Sequence, residues 1–96
     1  MNGMNGMNGM KKIVRRTIRL EGRPAAGEAF FRVAVAAQVE ETGDGWLRID
    51  RTWRVRVSGA GVGPAANRTA DGKTEIRRPI VWSPEGMAEF VEELSW

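Results

Sequence analysis

Arginine dominates the side chains that could hold or transform another molecule in this chain. Cysteine, histidine and tyrosine are all absent. Without them there is no thiolate nucleophile, no imidazole base or zinc ligand and no phenolic acid, so chemistry is left to carboxylates, lysine, serine and threonine. Asp50 and Glu40 are the available bases, and either would need a deep pocket that nothing in the sequence announces. The expectation is therefore a non-enzyme with no cofactor and no metal.

The stretch GDGWLRIDRTWRVRVSG, Gly43 to Gly59, concentrates the arginines. Read as one extended strand, it puts Leu47, Ile49, Trp53, Val55 and Val57 on one side and Trp46, Arg48, Asp50, Thr52, Arg54 and Arg56 on the other. Arg51 breaks the alternation, as Arg16 does earlier in the chain. Both read as a bulge or as a snorkelling stem at a sheet margin. Arg15, Arg19, Arg32 and Arg77 fall on the polar side of their own strands. With Arg48, Arg54, Arg56 and Trp46 they make the candidate binding surface.

Three readings compete for that surface. It is a solvated face of exchanged ion pairs, a phosphate-binding face on which Trp46 stacks a base, or a protein interface. Arginine and tryptophan are the types enriched where binding energy concentrates, so the interface reading leads. Single-stranded nucleic acid is the alternative. Salt separates the two, because a phosphate-driven complex weakens steeply with ionic strength.

The net charge of +3 conceals a division. Residues 1–83 carry fifteen Lys and Arg against eight Asp and Glu, a balance of +7, while residues 84–96 carry four Glu and no base, a balance of −4. A basic body and an acidic tail suggest head-to-tail self-association as one form of the expected protein partnership.

The elements that must position these groups follow from periodicity. Lys12–Leu20, KIVRRTIRL, alternates as a strand, with Val14, Ile18 and Leu20 inward. Ala29–Glu41, AFFRVAVAAQVEE, reads as a second, with Phe31, Val33, Val35, Ala37 and Val39 on one face and Ala34 and Ala36 among the arginines. TGDG, Thr42 to Gly45, is a hairpin turn leading into the third strand. Ser58–Lys73 is a long Gly- and Ala-rich loop, a candidate partner-contacting arm, whose GAGVGP lacks the spacing of a phosphate cradle. A fourth strand runs over Thr74–Trp82, and Pro79 suggests an edge or a bulge.

SPEGMAEFVEELSW reads as a helix. Ser83 caps it, Pro84 takes its first position, and Met87, Phe90, Val91 and Leu94 form an i, i+3, i+4, i+7 stripe. The predicted fold is α+β, mainly β: a twisted antiparallel sheet of four to five strands, curled or barrel-like, with this helix packed on its apolar face. Residues 12–96 form one domain. The opening MNGMNGMNGM, within residues 1–11, reads as a low-complexity arm, with a soft thioether site for Cu(I) as the sharper alternative. No apolar run reaches the ~18 residues of a membrane span and no secretory leader is evident, so a cytoplasmic protein without membrane contact is expected.

Overall fold

Turn chemistry divides the chain before its sheets assemble. Asp44 and Gly45 take φ of 54° and 80°, and Asp71 and Gly72 take 53° and 73°. Two successive left-handed residues make the tight hairpin turn whose twist matches antiparallel strands, and Asp-Gly adopts it with least strain. Asp50 and Arg51 do the same at 48° and 61°, closed by the Thr52 N–H donating to Ile49 O at 3.0 Å. Asp tolerates this conformation, whereas an arginine in it is uncommon.

The computed structural model describes residues 12–96 and contains eight strands in two antiparallel sheets. They are β1 (Ile13–Glu21), β2 (Phe30–Ala36), β3 (Val39–Gly43), β4 (Trp46–Ile49), β5 (Trp53–Ser58), β6 (Arg68–Ala70), β7 (Lys73–Pro79) and β8 (Met87–Ser95). The larger sheet has the order β1-β8-β5-β4-β3 and the smaller β2-β7-β6. The Met-Asn-Gly repeat, with its arm and Cu(I) readings, lies outside the described residues. Among the described residues no helix is long and apolar enough to cross a membrane.

The expected C-terminal helix is absent, and the fold is all-β. Residues Met87–Ser95 form a strand between β1 and β5, in continuous register from Glu21↔Met87 to Ile13↔Ser95 on one side and from Arg54↔Ser95 to Ser58↔Val91 on the other. Ser83 and Pro84 serve a turn instead of a cap. Gly86 N–H donates to Ser83 O at 2.9 Å, Ser83 N–H donates to Met87 O at 2.7 Å, and Gly86 has φ 79°. This is a type I turn closed by a left-handed glycine, for which Pro at the second position and Gly after the third are as fitting as they are for a helix start. Phe90 and Leu94 suit a period of two as well as four. Ala88, Phe90 and Glu92 point inward and are buried, while Met87 and Glu89 point outward.

Two other single-strand expectations also divide. The turn at Asp50–Arg51 folds residues 46–57 into the β4–β5 hairpin, with Leu47↔Val55, Arg48↔Arg54 and Ile49↔Trp53 in register. Residues 29–41 split into β2 and β3, which belong to different sheets, with the chain crossing at Ala37 and Gln38. Asp50 fastens that corner: its N–H donates to Gln38 O, and its Oδ1 accepts from Gln38 N–H, both at 2.9 Å.

β2 also changes parity. A bulge between Arg32 and Ala34 turns Ala34 and Ala36 into the core and leaves Val35 46% exposed, the reverse of the alternation expected from the sequence. β7 is the central strand of its sheet, with Pro79 accommodated as its last residue.

The sheets bury one core between them. Ala34, Ala36 and Ile76 come from the smaller sheet and Ile49, Val55, Val57 and Phe90 from the larger, with Phe31 edge-on to Phe90 at 5.0 Å between ring centroids. The Ser58–Lys73 segment is built into this structure. Val62 is buried and bridges Ile80, Gly63 and Ala66 hydrogen-bond to Pro79 and Arg77, and β6 pairs with β7. Gly61 is required where the segment passes over β8, because a Cβ there would lie 2.5 Å from the Glu89 backbone.

Candidate interaction surface

The strand register decides which arginines act together. Arg48 faces Arg54, Arg54 faces Ser95, and Ser95 faces Ile13, so these side chains project from one face of the larger sheet. The next row places Arg56, Glu93 and Arg15 side by side. Arg15, Arg19, Trp46, Arg48, Arg54 and Arg56 thus share this outer face, away from the core. Arg32 and Arg77 do not join them. They lie opposite each other in the smaller sheet, on the far side of the molecule.

That second arginine group is occupied within the fold. Arg32 Nε and Arg68 Nη2 donate to the two carboxylate oxygens of Glu75 at 2.7 and 3.0 Å, and Arg77 lies over the Phe30 ring at 4.2 Å. The hydrogen bond from Arg32, with the charges of Arg32 and Arg68, holds the Glu75 carboxyl below its ordinary range against the opposing effect of burial.

On the outer face of the larger sheet, β8 brings the acidic tail among the cations. Arg19 pairs with Glu89 at 3.1 Å, Arg56 with Glu93 at 2.8 Å, and Arg15 approaches Glu93 at 4.0 Å. The tail charge expected on a docked helix is therefore consumed inside the molecule. This removes the helix-to-arginine-face geometry from the self-association reading.

Arg56 is the best fixed of these cations. Besides Glu93 it donates to Asp44 O at 3.2 Å and lies over Trp46, with the guanidinium carbon 4.8 Å from the ring centroid. Arg54 lies over the same ring at 5.2 Å. Trp46 is thus a half-buried aromatic anchor contacted by two guanidinium groups, an arrangement that orders all three side chains.

Arg48 and Arg54 differ from their neighbours. Among the described residues neither forms an ion pair within 4.0 Å. Beside them is a concavity of about 150 Å³ lined by Arg48, Arg51, Arg54, Ser95, Thr52 and the tryptophans Trp53 and Trp96. Among the described residues Arg51 also lacks an ion-pair partner, and the buried Ser95 Oγ has no hydrogen-bond partner.

Sequence reasoning missed Arg51 and Ser95, the first because it broke a strand that is really a turn and the second because it was placed on a helix. The Asp-Arg pair interrupting an otherwise regular alternation is the signal that marks the turn. Among the described residues no cluster of three or more His, Cys, Asp or Glu side chains could hold a metal. Comparison with protein-family models, with curated proteins and with solved structures finds no match.

Proposed function

We propose that this protein is a non-catalytic interaction module that binds an acidic protein partner through the outer face of its larger sheet. One observation carries the reading: among the described residues neither Arg48 nor Arg54, beside Trp46, forms an ion pair within 4.0 Å, although Glu40 faces Arg48 from β3, whereas the other arginines of this face meet glutamates of β8. A half-buried tryptophan bordered by guanidinium groups is the combination in which interface energy concentrates. Long-range attraction between such a cationic corner and an acidic surface raises the rate of encounter.

The arrangement favours protein over nucleic acid. Glu89 and Glu93 lie in the middle of the face, where they occupy Arg19 and Arg56, cations that a phosphate backbone would otherwise meet. Two guanidinium groups already contact the ring on which a base would stack.

The test is affinity cross-linking of the full chain, comparing wild type with a R48E/R54E double variant and with a R32E/R77E double variant. A partner captured by wild type and by R32E/R77E but lost from R48E/R54E supports the reading. Equal capture by all three removes it. Binding of a single-stranded oligonucleotide that weakens steeply with salt and depends on Arg48 and Arg54 would replace it with the nucleic-acid reading.

A further inference from the structure

We propose that the notch formed by Arg48, Arg51, Arg54 and Ser95 is a binding site for a phosphate monoester dianion. The proposal deepens the interaction reading, since Arg48 and Arg54 serve both, and it states what chemical group the partner presents there.

Three independent features of the notch are unfavourable as they stand. Arg48 and Arg54 are directly opposed across β4 and β5, and among the described residues neither has a carboxylate within 4.0 Å, Glu40 opposite Arg48 on β3 included; like charges directly opposed destabilise a strand pair. Arg51 is held at φ 61°, a conformation that disfavours side chains other than Gly, Asn and Asp and that gathers at functional sites. Ser95 Oγ is fully buried without a hydrogen-bond partner among the described residues, which leaves a desolvated hydroxyl unsatisfied.

A single anion relieves the charge repulsion and the unpaired hydroxyl together. Its oxygens accept from the guanidinium forks and from the Ser95 hydroxyl, and its charge neutralises the opposed cations. The turn at Asp50–Arg51 is what brings a third arginine to the site, since in an extended strand Arg51 would point to the opposite face.

Charge and size select the ligand. Three guanidinium groups favour a dianion over the single charge of a carboxylate, and a phosphate monoester is mostly dianionic above its second pKa of about 6. The space of about 150 Å³ admits a terminal phosphoryl group. An internal phosphodiester carries one charge and has chain on both sides, so it supplies fewer free oxygens. Trp53 and Trp96 on the wall give the ester's organic part an apolar surface.

The experiment is titration of the full chain with inorganic phosphate at about pH 8, with chloride holding ionic strength constant, followed by tryptophan fluorescence and by phosphorus NMR. Saturation below about 10 mM is expected, with Arg54→Gln weakening binding at least about tenfold and Ser95→Ala about threefold or more, while Arg77→Gln has no effect. The absence of saturation by about 50 mM overturns the proposal, as does an equal loss in Arg77→Gln.

A phosphoserine peptide is then compared with the same peptide carrying glutamate, and with an oligonucleotide lacking a terminal phosphate. Tighter binding of the phosphopeptide alone supports the monoester. Equal binding of the glutamate peptide or of the oligonucleotide overturns it. Phosphate binding that needs the notch, together with a partner indifferent to R48E/R54E, sinks the interaction reading and leaves the site standing. Loss of a partner in R48E/R54E without phosphate binding does the reverse.

Discussion

Arg16 Nε donates to Glu92 Oε1 at 2.6 Å, joining two charged side chains that both point to the core side of the larger sheet. Glu92 lies between Phe90 and Leu94 on β8 and is only 6% exposed, while the Arg16 side chain on the adjacent edge strand is 63% exposed. The pair places a buried carboxylate next to a cation that reaches solvent. Each residue alone violates the alternation of its strand, and each is explained by the other.

Replacing Arg16 by Met leaves the Glu92 carboxylate buried without its cation. We expect a loss of roughly 1–3 kcal/mol in urea unfolding, below the cost of stripping a fully buried pair because Arg16 is itself largely solvated. Arg15→Met and Arg19→Met, whose carboxylate contacts are outward, should each cost under about 1 kcal/mol. The double variant R16M/E92M should recover most of the loss, since an apolar pair suits that position.

The same pair shows where sequence reading succeeds and where it stops. Parity placed Arg15 and Arg19 on one face of β1 and Arg48, Arg54 and Arg56 with Trp46 on one face of the neighbouring strands. The hairpin turn at Asp44–Gly45 was likewise legible from its residue types. The last segment was not, because Phe90 and Leu94 satisfy both a helical and an extended period, and Ser-Pro-Glu-Gly fits a helix start and a turn equally. In a strand Glu92 falls on the apolar side, and the cation that accounts for it there, Arg16, lies more than seventy residues away in the chain. The parity of Ala34 and Ala36 was lost to a bulge, a backbone event with no side-chain signature in AFFRVAVAA.

Arg78 ties the two sheets together. From β7 it donates through Nη1 to Val57 O on β5 at 2.9 Å and through Nε to Gly63 O, and burial pulls its guanidinium below its usual pKa range. Arg78→Met removes both donors and leaves two carbonyls short of partners, for an expected cost of about 2–3 kcal/mol by chemical denaturation. Arg78→Lys should recover only part, because an ammonium cannot span both acceptors in the planar geometry of a guanidinium.

Glu75 makes stability depend on pH in a definite direction. Its carboxyl is held below the ordinary value of 4.5, first by the hydrogen bond from Arg32 and then by the charges of Arg32 and Arg68, with burial opposing. A group whose pKa is depressed on folding stabilises fully above its unfolded pKa and loses that contribution as pH falls through the folded value. Wild type should therefore exceed Glu75→Gln in melting temperature near neutrality, and the gap should close as pH drops below about 4.5. A gap that stays constant from pH of about 6 to about 3 would show that the carboxylate's charge has no part in the Arg32–Arg68 bridge.

Arg51 sets stability against binding. At φ 61° its Cβ meets the steric penalty of the left-handed region, roughly 1 kcal/mol, which glycine does not suffer. Arg51→Gly keeps the Thr52-to-Ile49 turn bond and should raise stability by up to about 1 kcal/mol in thermal unfolding, while its phosphate affinity falls. Arg51→Ala should lose affinity with no comparable gain in stability, since alanine keeps the Cβ. The comparison separates the backbone from the charge: if Arg51 were only a solvated turn residue, both variants would bind phosphate as wild type does. Stability gained together with affinity lost in Arg51→Gly is the pattern required of a residue held in an unfavourable conformation for the sake of its guanidinium.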